Sequence, residues 1–379
     1  MLSEKNILIV SKSSQPGGLE FHVLDLIKVF APANKVYVMV PPGPLTEDYR
    51  NAGAQVIIEH PSSALDFFFI NRVKNFCRSN SIHVLHAHEL INATAVFSAF
   101  LAKVPKRVYH VHTPFLFWRY KNFFEKILRI PFNWFANFVI ANVFSTDVIC
   151  LTPQIKRHRI FFEFILPYKL RVVPNAVDVG RISKRPTIEE INNFKKLHRI
   201  PLDKVVIGNI SRLTQEKDHM TLLKAFNKLN TEFPQKYFLL IAGGGDYETE
   251  YWDYADQNFP KLCLITGRFE EKDKLNFMCS IDYAVFPSLA EGFGYVLAEF
   301  MAAKIPIIAS DLPVLKHVGG LGVWYFRRGD IGALYNQLKF VLSLSDNLAN
   351  EKITKAYQKV QEYSLDSFAK NYSTIYASR

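Results

Sequence analysis

The chain alternates short apolar runs with amphipathic segments. The apolar runs are rich in β-branched residues and show little polar–apolar alternation, which is typical of parallel strands buried on both faces. In the first half these predicted strands are residues 6–10, 35–40, 55–59, 82–87, 107–112 and 147–152. Helical patterns lie between them, for example at 18–31, 64–79 and 90–103. Strand–helix alternation of this kind predicts a doubly wound α/β sheet.

The pattern loosens around 174–203, where turn residues and mixed charge predict a linker. It then restarts with predicted strands at 205–210, 237–243, 262–266, 283–288, 305–310 and 322–326, followed by helical patterns to the end. We therefore predict two Rossmann-like lobes facing across a deep cleft: residues 1–180, residues 181–360, and a helix at 361–379 that packs back toward the N-terminal lobe. In such sheets, ligands bind at the carboxyl ends of the strands.

Composition supports a globular enzyme-sized protein. The 379 residues are 49% hydrophobic and 21% charged, which excludes a disordered chain. The four cysteines are scattered, with no CxxC pair and no His-rich neighbour, so neither a disulfide framework nor a zinc site is predicted. The start lacks a signal-peptide pattern and no window resembles a membrane span. These features favour a reducing, cytoplasmic location.

The net charge of +11 is concentrated in one segment. Between residues 101 and 171, twelve Lys and Arg face three Asp and Glu. Such a field attracts an anionic partner: nucleic acid, an acidic lipid surface or a phosphorylated ligand.

Three segments that follow predicted strands could bind anions. In "PGGLEFH", Gly17 and Gly18 would let backbone amides approach a ligand at a helix start, although a tight turn would also use glycines. In "SRLTQEKD", Arg212 and Lys217 could neutralise a diphosphate, although surface charges at a helix start look the same. The third, "AGGGD" at 242–246, lacks the GxGxxG spacing of a dinucleotide fingerprint.

The fourth segment, "PSLAEGFGYVLAEFMA" at 287–302, holds Glu291 and Glu299 on either side of a glycine turn. Eight helical residues span about 12 Å, more than the roughly 5–9.5 Å that separates the carboxyl groups of glycoside hydrolases. The two glutamates are therefore predicted to bind opposite ends of an extended ligand whose phosphates lie at the helix N-terminus. A nucleotide sugar has this shape, whereas two incidental surface glutamates are the simpler alternative.

This segment resembles the E-x7-E signature of retaining glycosyltransferases with the GT-B architecture, and most closely glycosyltransferase family 4. "GGLE", "VVPNAVD" at 172–178 and "SRLTQEKD" match other segments of that family in the same order. The resemblance implies a transferase that moves a hexose-type sugar from a nucleotide-diphosphate sugar to a glycan or lipid-linked acceptor in cell-envelope polysaccharide or glycolipid synthesis.

The resemblance also implies a role for each matching residue. Glu291 and His112 would contact the reacting sugar, and Glu299 would bind the ribose. His110 shares a strand face with His112 and is the alternative to it. The diphosphate would be bound by Arg212, Lys217, Gly17, Gly18, Gly292, Phe293, Gly294, Tyr295 and Val296. No DxD motif is present, so no metal or other cofactor is expected, and a front-side displacement with retention is the preferred mechanism.

Residues 115–130 form a predicted helix with aromatic residues on one face and cations on the other. This pattern is typical of helices that lie on an anionic membrane, but also of a core helix with a solvated back. We therefore predict a possible peripheral association with the inner face of the cytoplasmic membrane. The alternatives are a nucleotide-sugar epimerase or hydrolase, a two-lobed binding protein, and a nucleic-acid-binding protein; the last lacks any recognised module.

Overall fold

The structure is a computed structural model that describes residues 4–62, 66–112 and 123–378, with side chains from residue 129 in the last range. The contacts divide the chain into two units. We call Met1–Ala176 with Leu365–Arg379 the N-terminal lobe, and Val177–Ser364 the C-terminal lobe. Each lobe is described by itself.

The N-terminal lobe contains a seven-stranded parallel sheet of order β3-β2-β1-β4-β5-β6-β7. Its elements are β1 (Asn6–Val10), α1 (Gly18–Phe30), β2 (Lys35–Val40), α2 (Thr46–Asn51), β3 (Gln55–Ile58), α3 (Phe67–Ser79), β4 (Val84–His88), α4 (Ala93–Leu101), β5 (Lys106–His110), α5 (Phe123–Val139), β6 (Asp147–Cys150), α6 (Pro153–Phe162) and β7 (Leu170–Val172).

The C-terminal lobe contains a six-stranded parallel sheet of order β10-β9-β8-β11-β12-β13. Its elements are α7 (Val179–Ser183), α8 (Ile188–Leu197), β8 (Val205–Ile210), α9 (His219–Glu232), β9 (Tyr237–Ala242), α10 (Glu248–Asn258), β10 (Cys263–Ile265), α11 (Lys274–Cys279), β11 (Tyr283–Phe286), α12 (Tyr295–Ala302), β12 (Ile307–Ser310), α13 (Pro313–Gly319), β13 (Trp324–Phe326), α14 (Ile331–Leu342) and α15 (Asp346–Val360).

The last helix, α16 (Leu365–Ala377), belongs to the N-terminal lobe. Phe368, Tyr372 and Tyr376 enter the core that α1 forms with the sheet, and the Tyr372 hydroxyl lies 3.2 Å from Nε2 of His22. The helix is therefore an integral part of that lobe's core.

The predicted α/β fold is confirmed. The central strands read as unbroken apolar runs because helices cover both faces: Ile7, Ile9 and Val38 in one lobe and Ile207 and Leu239 in the other are fully buried or nearly so. β7 was not predicted, because three residues at a sheet edge carry too little periodic pattern to be recognised.

Half of the predicted linker at 174–203 is helical, because α7 and α8 lie within it. α8 begins with a capping box in which Oγ1 of Thr187 accepts from the backbone N–H of Glu190, and the Glu190 carboxylate accepts from the Thr187 backbone N–H. The sequence "PTIEE" is therefore the start of a helix. Its residue types are also common in turns, and for that reason a loop was predicted.

In each lobe the strand order reverses next to the first strand of the sheet. β2 and β4 flank β1, and β9 and β11 flank β8. Because the strands are parallel, the segments that follow them begin at the same edge of the sheet, which is where ligands bind in open α/β folds.

Candidate active site

In the C-terminal lobe the segments after β8 and β11 are joined. The Lys217 ammonium lies 2.5 Å from Oε1 of Glu291, which also accepts from the Ser288 hydroxyl at 3.0 Å. The backbone N–H of Leu289 donates to the Glu216 carbonyl at 2.8 Å. The structure therefore brings together two of the predicted site residues that are 74 positions apart in sequence.

The glycine run at 243–245 holds the segment after β8 in place. A Cβ atom at Gly243, whose φ is +145°, would lie 2.0 Å from the Ser211 carbonyl oxygen, and one at Gly245 would lie 2.4 Å from the Leu213 carbonyl oxygen. Leu213 in turn donates its backbone N–H to the Gly244 carbonyl. These glycines, which lack the spacing of a dinucleotide-binding motif, are thus needed for close packing of the backbone.

Arg212 lies within the segment that the glycine run supports. Its side chain is exposed, and it forms no hydrogen bond or ion pair with the residues that the structure describes. The guanidinium is therefore available to a ligand, unlike the ammonium of Lys217, which already has a carboxylate partner.

Helix α12 begins at the glycine turn that was predicted to receive phosphates. Gly294 has φ +88°, and a Cβ there would lie 2.7 Å from Cδ2 of Leu315, so only glycine fits. Phe293 is buried, whereas Gly292, Tyr295 and Val296 are partly exposed. The first backbone N–H groups of a helix have no acceptor inside it, so this end can bind an anion.

Glu299 lies in the second turn of α12 and is almost fully buried. Its Oε1 accepts from the Lys274 ammonium at 2.7 Å, while Oε2 has no hydrogen-bond partner among the described residues. Burial alone would lower the pKa of Lys274, but the carboxylates of Glu299 and Glu271 raise it above its ordinary value, which keeps the lysine charged. A buried carboxylate oxygen without a partner is costly unless a ligand donates to it.

In the N-terminal lobe, Gly17 precedes α1 and Gly18 is its first residue. Neither has a positive φ, so the tight-turn explanation for this pair does not apply. A Cβ at Gly18 would meet no atom within 4 Å, and Gly18 is exposed. A Cβ at Gly17, by contrast, would lie 2.6 Å from Oε2 of Glu20, so the space is open at Gly18 but not at Gly17.

His112 lies two residues beyond β5 and is only 7% exposed. Its Nε2 lies 3.1 Å from Nδ1 of His88, and its ring stacks on His110 with 4.0 Å between centroids. Burial lowers the pKa of both His110 and His112 well below the ordinary value, so both imidazoles are neutral. Neither residue is a lone strand histidine.

The predicted membrane helix at 115–130 falls largely outside the described residues. The described chain resumes in α5, and its side chains resume at Arg129, which is exposed. Among the described residues, no helix combines the length and the apolar character needed to cross a bilayer.

Two sequence models of known families match the chain in succession. "Glycosyltransferase Family 4" matches residues 16–181, and "Glycosyl transferases group 1" matches residues 190–359. The chain belongs to the family 4 glycosyltransferases. This membership favours the transferase over the binding-protein and nucleic-acid alternatives, and the fold is GT-B.

Family 4 relatives cover most of this chain. The phosphatidyl-myo-inositol mannosyltransferase of Mycolicibacterium smegmatis is 28% identical over 313 residues, which are 80% of this chain and 75% of that protein. The UDP-Gal:alpha-D-GlcNAc-diphosphoundecaprenol alpha-1,3-galactosyltransferase of Escherichia coli is 24% identical over 282 residues, covering 71% and 69%. The crystal structure of a glycosyltransferase from Rickettsia africae superposes with a TM-score of 0.84 at 18% identity, covering 99% and 98% of the two chains.

The sequence analysis missed two residues of this family 4 enzyme's candidate site. Ser288 donates to Glu291, and Lys274 pairs with Glu299. Ser288 ends a predicted strand and could have been suspected from that position. Lys274 lies among the other charges of "EEKDK", and nothing local distinguishes it.

Proposed function

We propose that this protein is a retaining, metal-independent hexosyltransferase that uses a nucleotide-diphosphate sugar to extend a glycan or lipid-linked acceptor during cell-envelope polysaccharide or glycolipid synthesis. The observation that carries the proposal is the Lys217–Glu291 pair, which joins the segments after β8 and β11 beside the start of α12. The relatives support the substrate class: one is named for UDP-Gal and a diphosphoundecaprenol acceptor, the other for phosphatidyl-myo-inositol.

The diphosphate would be bound by cations and backbone amides. Arg212 offers a fork of donors that suits phosphate oxygens, and Lys217 adds a point charge. The amides of the glycine turn and the first residues of α12, from Gly292 through Val296, and those at Gly17 and Gly18 would add fixed positive dipoles. As the sugar leaves, negative charge develops on the diphosphate, and these groups would stabilise it without reorganising.

Glu291 would exchange partners when the donor binds. In the free protein its carboxylate is paired with Lys217 and Ser288, and both side chains are largely buried. Because a diphosphate would compete for the ammonium, Glu291 would turn to the hydroxyl groups of the donor sugar. The ion pair thus holds both side chains in position until the ligand arrives.

Glu299 would bind the ribose through the oxygen that has no partner. Lys274 holds one oxygen at 2.7 Å, which fixes the carboxylate plane and leaves Oε2 for a ribose hydroxyl. His112 would contact the donor sugar, as the family resemblance implies. None of these groups requires a metal ion.

The test begins with the donor. Thermal unfolding of the full chain should be measured with UDP-, GDP-, ADP- and CMP-sugars, because only a nucleotide that binds the folded state raises Tm. The stabilising donor should then be incubated with short glycan or lipid-diphosphate acceptors, and the anomeric configuration of the product read by NMR. Inversion would refute the retaining proposal, and a covalent sugar adduct on Glu291 would refute front-side displacement.

The N-terminal lobe carries an aromatic patch, which we define as Phe132, Phe135, Phe161, Phe162, Phe164 and Tyr168. These side chains are about half to two-thirds exposed. Trp134 ties the two halves of the patch together, since its Nε1–H donates to the Phe162 carbonyl and its ring contacts Phe164 edge-on. Arg157 is exposed one helical turn before Phe161.

Exposed aromatic rings beside cations are suited to an anionic membrane, because the rings enter the headgroup boundary while the cations contact lipid phosphates. We propose that the patch holds the enzyme on the inner face of the cytoplasmic membrane, near lipid-linked acceptors.

Flotation with vesicles of phosphatidylglycerol and phosphatidylcholine tests the membrane proposal. Wild type should float at low salt, and replacing Phe161 and Phe164 with Ser should reduce binding about tenfold or more. Phe340→Ser, at an exposed phenylalanine of the C-terminal lobe, is the matched control and should bind like wild type. Equal binding by all three proteins would refute the patch as the docking surface.

A further inference from the structure

Five histidines are buried together on one face of the N-terminal sheet. His86 and His88 lie on β4, His110 ends β5, and His112 follows it, with His88 and His110 in register on neighbouring strands. His22, on α1, covers them from the helix layer, and its ring centroid is 4.8 Å from that of His110. None of the five is more than 7% exposed.

Four of them present ring nitrogens to one another. In His22, His88, His110 and His112, one nitrogen from each ring lies within 4.8 Å of the other three. We call these four the histidine quartet. His86 stacks on His88 but is not part of the quartet. Its Nδ1 instead forms a hydrogen bond with the Tyr376 hydroxyl, 2.8 Å away.

The quartet is incompletely hydrogen-bonded within the described part of the chain. Both ring nitrogens of His110 lack a partner, and so does Nε2 of His88, although both residues are fully buried. A neutral imidazole carries one donor and one acceptor, and leaving buried polar groups unpaired costs about 1–3 kcal/mol each. Native interiors seldom leave so many nitrogens of one cluster unsatisfied unless something else binds there.

We propose that the histidine quartet is a binding site for a first-row transition-metal ion, with Zn²⁺ as its foremost occupant. Imidazole nitrogen is a preferred ligand of such ions, and four ligands match the tetrahedral coordination of zinc. The ligands would come from three segments of the lobe: α1, β4 and the end of β5.

The geometry is close to what zinc requires. Nitrogens around a tetrahedral zinc lie about 3.3 Å apart, given Zn–N bonds of about 2.0–2.1 Å. Nδ1 of His88 and Nε2 of His112 are already 3.1 Å apart, while the widest pair must close by roughly 1.5 Å from 4.8 Å. Small rotations about side-chain torsions would supply this movement.

The surroundings also resemble those of a metal centre. Nδ1 of His22 lies 2.9 Å from Oδ1 of Asn175, an outer contact that would orient the ring and direct Nε2 inward, with the Tyr372 hydroxyl yielding its place at that nitrogen. The carboxyl group of the buried Glu89 accepts a hydrogen bond from the His112 backbone N–H, which helps to fix the position of that ligand.

The quartet shares His112 with the proposed donor-sugar contact, so the test uses His88 and His110, which have no proposed role in transfer. The inference does not rest on the proposed transferase activity. The readout is metal binding itself. If donor binding fails while zinc binding succeeds, the proposed function falls and the metal site stands; the reverse result separates them equally well.

The first experiment is a titration of the full chain, freed of metal by chelation, with Zn²⁺ against a competing chromogenic chelator. We expect one tight equivalent. His110→Gln and His88→Gln should each weaken it by more than the roughly 10- to 100-fold that loss of an outer-shell contact costs. His219→Gln, at a buried histidine of the C-terminal lobe, is the matched control and should bind like wild type. Unchanged affinity in both quartet variants would place the ion elsewhere and overturn the proposal.

A second measurement needs no variant, which protects the test if the quartet variants fail to fold. X-ray absorption of the zinc-loaded wild type should show about four imidazole nitrogens at about 2.0–2.1 Å and no sulfur. A spectrum dominated by thiolate or by carboxylate and water would show surface or cysteine binding and would overturn the proposal.

Discussion

In the N-terminal lobe the strand order reverses between β1 and β4, and in the C-terminal lobe it reverses between β8 and β11. The equivalent places are filled by different side chains. One holds buried, neutral histidines that β4, β5 and α1 supply, whereas the other holds Arg212 and two lysine–glutamate pairs. A parallel sheet determines where a ligand can bind, and the residues that follow its strands determine which ligand binds there.

The two chemistries impose different requirements on the fold. At the C-terminal site burial disfavours the charged form of Lys274, but the carboxylates of Glu299 and Glu271 raise its pKa and keep it charged. The histidines have no such partner and stay neutral because they are buried. The C-terminal lobe is therefore suited to an anionic ligand and the N-terminal cluster to a cationic one.

The largest effect should come from removing the ion pair of the C-terminal site. Lys217→Ala should lower kcat by about 10²–10³, or about 2.7–4 kcal/mol, because the developing charge on the diphosphate loses a positioned cation. Steady-state kinetics, with the donor that the thermal-unfolding screen selects, measures the change in kcat. Lys228→Ala, at an exposed lysine of α9, is the control. If both variants retain wild-type kcat, the cationic interpretation of this lobe is wrong.

A somewhat smaller effect is expected at the buried end of α12. Glu299→Gln should weaken nucleotide binding by about 1.5–3 kcal/mol, because a charge-assisted hydrogen bond to the ribose is lost. Calorimetry should compare the ribonucleotide with its 2′,3′-dideoxy counterpart. Wild type should prefer the ribonucleotide, and the variant should lose most of that preference; an unaltered preference would remove Glu299 from the ribose site.

The pH dependence of unfolding tests whether a buried neutral histidine also stabilises the C-terminal lobe. Burial lowers the pKa of His219 to about 3, although its Nε2 lies 3.0 Å from Oδ1 of Asn209. The folded pKa is below the unfolded value of about 6.5. The unfolded chain therefore binds the proton first, and stability is complete above about pH 6.5 and lost as the pH falls toward about 3.

The expected loss from His219 is about 1.4 kcal/mol per pH unit within that window. Urea unfolding of chelator-treated protein at pH 7, 6 and 5 should give a shallower pH slope for His219→Gln than for wild type. Identical slopes would mean that His219 binds the proton as readily in the folded protein as in the unfolded chain. Burial would then not explain the difference between the neutral histidines and the charged lysine–glutamate pairs.

The smallest effect concerns the contact between α16 and the histidines. Tyr372→Phe removes the hydroxyl 3.2 Å from Nε2 of His22 and should cost about 0.5–1.5 kcal/mol of unfolding free energy. Denaturant unfolding measures the change, with Tyr168→Phe, at a tyrosine that is 67% exposed, as a comparison. A variant as stable as wild type would show that α16 is held by its apolar contacts alone.

Much of this protein could be predicted from its sequence. The strands at 6–10, 35–40 and 205–210 were placed to the residue, because buried parallel strands are unbroken apolar runs bounded by turns. The family motifs, including "PSLAEGFGYVLAEFMA", are local strings whose order along the chain identifies them. Local periodicity and local motifs depend on a few neighbouring residues, so they can be recognised from the sequence alone.

The tertiary structure alone decided which side chains meet. Lys217 and Glu291 are 74 residues apart, Lys274 and Glu299 are 25 apart, and the histidine quartet combines residues 22, 88, 110 and 112. Such proximity follows from the order of strands in the sheet, which brings distant strand ends to one edge. The sequence predicted that His110 and His112 share a strand face, but only the pairing of β4 with β5 beneath α1 joined them to His88 and His22.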